Sequence, residues 1–169
     1  KSDGHLSGIT TGLRDLDERL GGLHDSDLII LAGRPSMGKT ALATNIAVNA
    51  AKARALDRST VVGFFSLEMS SDQLATRILA EESRIPSEDL RRGRLDSDQF
   101  LRIVSASQEI EELKLFIDDT PALSIAALRT RARRLARQSG LDLIVVDYLQ
   151  LLRPSRQNRN DGRVQEVTE

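Results

Sequence analysis

The chain has 169 residues, about one domain, and its 40% hydrophobic and 29% charged residues are the ordinary balance of a globular protein. A formal net charge of -1 gives no overall attraction to nucleic acid or to membranes, and the lack of cysteine excludes disulfides and zinc–thiolate sites. No apolar run approaches the ~20 residues that span a bilayer and no signal peptide opens the chain, so a cytoplasmic setting without a membrane partner is expected.

The sequence opens at Lys1 rather than Met, and residues 164–169 read as the start of a helix, so both ends are expected to be cuts inside a longer protein. Residues 1–26 are polar and Gly-rich and are expected to be a linker and lead-in. Within them a short amphipathic piece at Leu13, Leu16 and Leu20 stops at Gly21-Gly22. The core is expected over residues 27–169. It begins with D-L-I-I-L-A, residues 27–32, a short apolar run that suits a strand buried on both faces of a parallel sheet. Residues 39–56 are rich in alanine, with Leu42, Ile46 and Val48, which predicts a helix packed closely on that sheet.

Residues 59–67, S-T-V-V-G-F-F-S-L, predict a second buried strand. Ser70 and Gln73 form a capping-box pattern that opens a helix through Leu74, Ile78 and Leu79. Pro86, Ser87 and Gly93 break the pattern around a short helical turn. Asp96 or Ser97 caps the next helix, which carries Phe100, Leu101, Val104 and Ile110. A short strand over residues 114–117 stops at Asp118-Asp119-Thr120-Pro121. Ser124 caps a helix with Leu128, Ala132, Leu135 and Ala136 on one face, closed at Gly140. Residues 141–149 give a third long apolar strand, and residues 153–162, polar and basic, predict a mobile loop. Strands alternating with helices imply an α/β fold with a mainly parallel sheet flanked by helices.

Residues 33–40, G-R-P-S-M-G-K-T, fit the phosphate-binding pattern G-x-x-x-x-G-K-[ST] at every fixed position. The expected nucleotide contacts are Gly33, Arg34, Pro35, Ser36, Met37, Gly38, Lys39, Thr40 and Ala41. Glycines let the backbone wrap an anion, and loop and helix amides face it. Lys39 would reach the β- and γ-phosphates of ATP, and the Thr40 hydroxyl would coordinate Mg²⁺. Asp147 ends the apolar run L-I-V-V-D, which puts a carboxylate for the metal at the carboxyl edge of the sheet. Hydrolysis also needs a group to orient or deprotonate water. Tyr148, not an acid, follows Asp147, so Glu68, just past the second strand, is the better candidate for the base.

Other features carry less. Asp118 and Asp119 end a strand at the same edge, but a turn before Pro121 accounts for them. His5 and His24 are isolated. Twenty of the 24 basic residues are arginines, and Arg129, Arg131, Arg133, Arg134 and Arg137 sit on one helix, where a solvated face is the simpler account than a phosphate-binding one.

Several segments together resemble one family. T-G-L-R-D-L-D (residues 11–17), the phosphate loop, F-F-S-L-E-M-S (64–70), I-D-D-T-P (117–121) and V-V-D-Y-L-Q-L-L (145–152) are similar to the RecA-like motor domain of DnaB-type bacterial replicative helicases, from about residue 9 to the end. The resemblance implies a homohexameric ring on single-stranded DNA, unwinding duplex at the replication fork with ATP and Mg²⁺. It implies that Lys39 and Glu68 are catalytic, and that Thr40 and Asp147 serve the metal. Primase and a helicase loader would be met through regions outside this chain. So would a further strand between the phosphate-loop and Asp147 strands, a DNA-contacting loop and an arginine finger, which leaves the RecA-like fold without its C-terminal strands and the fragment weakly active or inactive alone. The competing expectations are a RecA-like ATPase of recombination, a regulatory ring resembling the KaiC group, and a nucleotide-binding module without turnover.

Overall fold

The computed structural model describes residues 6–34, 36–55 and 58–149. The expectations for His5, for Pro35, for Leu56 and for residues 150–169 fall outside them.

Helix α1 (Arg14–Leu20) forms where Leu13, Leu16 and Leu20 recur, and ends on Gly21 in the left-handed conformation. The segments on either side close around it: Ile9 and Leu23 exchange two backbone hydrogen bonds of 2.8 Å. Buried Asp17 holds the turn before the helix, accepting from the Thr11 amide (2.8 Å), the Thr11 hydroxyl (2.7 Å) and the Thr10 hydroxyl. Asn49 Nδ2 donates to the Thr11 carbonyl at 3.1 Å, docking this segment on the next helix. A Cβ on Gly12 would lie 2.2 Å from that Asn49 amide, and the φ of +75 is itself unfavourable for other residues.

Helix α2 (Lys39–Lys52) ends four residues earlier than its alanine-rich run suggests, because the chain turns into β1 (Arg54–Ala55) and β2 (Arg58–Ser59), an antiparallel pair. Then come β3 (Val62–Ser66), α3 (Ser71–Ser83), α4 (Ser87–Arg92), α5 (Ser97–Glu111), β4 (Leu115–Asp118), α6 (Ile125–Ser139) and β5 (Leu143–Asp147). Local capping sets the helix starts. Ser70 with Gln73, and Asp96 with Gln99, form complete capping boxes, and Ser124 Oγ accepts from the Ala127 amide.

The sheet runs β4-β3-β5, all parallel, with β3 buried along its whole length between two neighbours. Alternation along β3 serves two cores. Val62 and Phe64 pack with Ala47, Ala50 and Ala51 of α2 and Leu74 of α3. Phe65 and Leu67 pack with Leu123 and Ala132, under α6. Small alanines on α2 let its backbone pack close to the sheet.

A strand expectation also differs from the outcome. Residues 27–34 form no strand: Leu28 is 86% and Ile30 69% exposed, and among the described residues β5 pairs with β3 alone. A buried parallel strand draws its stability from ladder partners, and no described strand supplies one beside residues 27–32. On α5, Phe100, Leu101 and Val104 are exposed, while Ala106 is buried with Ile103 and Ile110 half-buried.

Candidate functional site: the carboxyl edge of the sheet

Gly38 caps α2 at a φ of +83, and Ser36 is also left-handed at +63. A Cβ on Gly38 would meet nothing within 4 Å, so glycine is required there by conformation rather than by space. Alternating left-handed residues turn successive backbone amides toward one concave face, an anion nest. The first turn of α2 has no acidic residue and no side-chain cap, so its amides and its positive dipole end are available to a phosphate group. Arg34 and Met37 are exposed, and Lys39 and Thr40 half-buried.

α2 packs across β3, β4 and β5, and its N-terminal end meets the carboxyl end of β5. There the Lys39 ammonium lies 4.4 Å from the centre of the Tyr148 ring, a cation–π contact. Tyr148 was not singled out by sequence, since only its place after Asp147 marked it.

Asp147 is buried, and its Oδ2 has no hydrogen-bond partner among the described residues. An orphaned carboxylate oxygen is costly unless something occupies its lone pairs. At the carboxyl end of β5, one residue before the Tyr148 ring that Lys39 meets, it suits a Mg²⁺ ion with its water shell. Among the described residues no three His, Asp or Glu side chains converge, so such an ion would depend on Thr40, Asp147, water and the phosphates.

Glu68 stands exposed on the turn after β3. Three contacts shape that turn. Ser66 Oγ donates to the Met69 carbonyl (2.7 Å) and accepts from the Met69 amide (3.2 Å), closing the loop beneath Glu68. The Leu67 amide donates to the Asp147 carbonyl at 2.8 Å, so the turn is laced to β5 where Ser66 pairs in register with Asp147. The Ser71 amide donates to Asp119 Oδ2 at 2.7 Å. Asp147 and the turn bearing Glu68 are therefore brought together on the sheet, and Lys39 meets the same strand end at Tyr148.

Asp118 turns the other way. Arg131 Nη1 donates to both its oxygens, at 2.9 and 2.6 Å, and the Thr120 amide donates to Oδ1 at 3.0 Å. Burial would raise this carboxyl, but Arg131 and the Thr120 donors hold it below the ordinary 3.8. Asp118 is engaged structurally, as is His24, whose Nε2 lies 2.7 Å from Ser7 Oγ.

The chain is 51% identical over its whole length to the replicative DNA helicase DnaB of Rickettsia prowazekii (strain Madrid E), and covers 36% of that protein. It is 42% identical to the replicative DNA helicase DnaB of Geobacillus stearothermophilus, over 99% of this chain and 36% of the relative. The chain thus spans about a third of the length of these curated relatives. Among solved structures, a DnaB-like replicative helicase, described with its interactions with primase, superposes with a TM-score of 0.87 at 29% identity, over 99% of this chain and 39% of the other. A solved ATPase domain superposes at 0.88 and 29% identity, over 99% of this chain and 58% of that one. The mixed helix and strand layout with a parallel sheet is thus that of RecA-like ATPase domains. With the profile of the DnaB-like helicase C terminal domain matching residues 8–169, the chain belongs to that family.

Proposed function

We propose that this chain is the nucleotide-binding part of a replicative DNA helicase subunit, hydrolysing ATP to move along single-stranded DNA and unwind duplex at the fork. Residues 27–169 serve as the ATPase core, and residues 1–26 lead into it. The observation that carries the chemistry is the buried Asp147 oxygen, which has no hydrogen-bond partner among the described residues and stands one residue before the Tyr148 ring that Lys39 meets.

Backbone N–H groups of the phosphate loop, which Pro35 lacks, and the Lys39 ammonium bind the β- and γ-phosphates. Lys39 leaves the Tyr148 ring for the phosphates and stabilises charge there as the γ-phosphoryl group departs, which makes it catalytic as well as binding. Thr40 and Asp147 would hold Mg²⁺, which when bound neutralises phosphate charge. Glu68 accepts the proton of the attacking water or orients it, and its exposed place on a laced turn suits that task.

Family membership supports the helicase reading, together with the partners it brings: single-stranded DNA, five further copies in a homohexamer, and primase and a loader met through regions outside this chain. A cytoplasmic setting agrees with the lack of any membrane-length apolar helix among the described residues.

ATP turnover by the full-length protein, with and without single-stranded DNA and with Lys39→Ala as the blank, tests the proposal. Stimulation by DNA is the expected result. Turnover indifferent to DNA would favour a regulatory ring, and normal turnover by Lys39→Ala would overturn the phosphate-loop assignment itself.

A further inference from the structure

We propose that Asp119 is a positioning residue for hydrolysis: by gripping the first turn of α3 it holds the turn on which Glu68 stands. The proposal rests on the reading of Glu68 as the base.

Ser71 is the first residue of α3 and lies three residues beyond Glu68. The capping box at this helix is local: Ser70 Oγ accepts from the Gln73 amide, and Gln73 Oε1 accepts from the Ser70 amide. That leaves the Ser71 amide to be satisfied from elsewhere, and Asp119 supplies the acceptor from 48 residues away. A carboxylate suits the positive end of a helix. The Ser71 backbone and side chain hold the Asp119 carboxyl below its ordinary value, so it is ionised at neutral pH.

Geometry makes this more than a helix cap. β3 is the central strand, and its C-terminal turn is tied to both neighbours. The Leu67 amide binds the end of β5 on one side of Glu68, and the Ser71 amide binds the end of β4, through Asp119, on the other. With the Ser66–Met69 closure between them, the backbone carrying Glu68 is pinned at three points while its side chain stays exposed. Asp119 is itself held, because its neighbour Asp118 is clamped by Arg131 and Thr120. A misplacement of about 1 Å at a reacting group can cost up to about 10²-fold in rate. Loss of one of three pins is therefore expected to lower kcat by roughly tenfold.

The experiment uses the full-length protein with Asp119→Ala and Asp119→Asn, each made in the native and in the Glu68→Gln background. Asp119→Ala is expected to lower kcat roughly tenfold while KM for ATP, affinity for a non-hydrolysable ATP analogue and melting temperature stay near native. Asp119→Asn keeps an acceptor oxygen and is expected to recover most of the loss. In the Glu68→Gln background, Asp119→Ala should add less than about twofold, since there is no base left to misplace. An unchanged kcat in Asp119→Ala, an equal loss in both backgrounds, or a parallel fall in nucleotide affinity and melting temperature would each overturn the role. Native turnover by Glu68→Gln alone would instead show that the base assignment has failed.

Discussion

Replacing Asp17 with alanine removes the acceptor on which the lead-in segment is built. Thr11 is fully buried, and Asp17 takes both its amide and its hydroxyl, with the Thr10 hydroxyl as a third donor. The Thr11 hydroxyl has a fallback in the Leu13 carbonyl, 3.4 Å away, but its amide has none. A stranded buried donor costs about 1–3 kcal/mol, and hydrogen bonds to a charged group contribute about 1.5–3 kcal/mol. Allowing for relaxation, the loss is about 3 kcal/mol, which is about 10²-fold in a local opening equilibrium. Amide hydrogen exchange over residues 8–23 reads this directly, because the Ile9 and Leu23 amides are bonded across the closed segment. Protection there should fall about 10²-fold in Asp17→Ala and less in Asp17→Asn, which keeps one acceptor. The acid side gives a second reading. Burial raises the Asp17 carboxyl, but the Thr10, Thr11 and Gly12 donors outweigh it and leave it below 3.8. Because the folded value is depressed, the stabilisation is complete well above 3.8 and is lost as pH falls through the folded value. Native protection should therefore drop on acidification in that range while Asp17→Ala stays flat. A change below about threefold at neutral pH would refute the reasoning.

Glu68→Gln should retain bound ATP while slowing hydrolysis by roughly 10²- to 10⁴-fold, measured as single-turnover phosphate release. Unchanged release would move the base elsewhere. Asp147→Asn should raise the Mg²⁺ concentration for half-maximal turnover by about tenfold or more, and an unshifted Mg²⁺ titration would remove Asp147 from the metal site. Gly63→Ala would bring a methyl 3.3 Å from both Leu135 and Leu141, so a loss of about 1–3 kcal/mol in denaturant unfolding is expected. A neutral result would mean that the Leu135 and Leu141 side chains give way.

What could be read from the sequence was local. The capping residues Ser70, Asp96 and Ser124 stand where they were expected, because an N-cap is decided within four residues. β3 was recognisable from its continuous apolar run, and the positions of Glu68 and Asp147 past strand ends followed from the same kind of run. What could not be read depended on distant partners. Residues 27–32 have strand composition, yet a strand is made by its neighbours, and Leu28 and Ile30 stand exposed. On α5 the apolar residues named from the sequence divide between exposed Phe100, Leu101 and Val104 and half-buried Ile110. The grip of Asp119 on Ser71 crosses 48 residues, and no pattern within either segment signals it.

The bond from Asn49 to the Thr11 carbonyl gives α2 a second job. Asn49 lies ten residues beyond Lys39, so the stretch between them is a stiff rod of about 15 Å. The rod is grasped at one end by the lead-in segment and carries the phosphate loop at the other. A tilt of about 10° about the Asn49 end would carry Lys39 roughly 2.6 Å, comparable to the difference between touching a phosphate oxygen and missing it. Residues 8–23 and the sheet thus hold the same helix that presents Lys39, so a shift of the lead-in segment would bear on that helix as well.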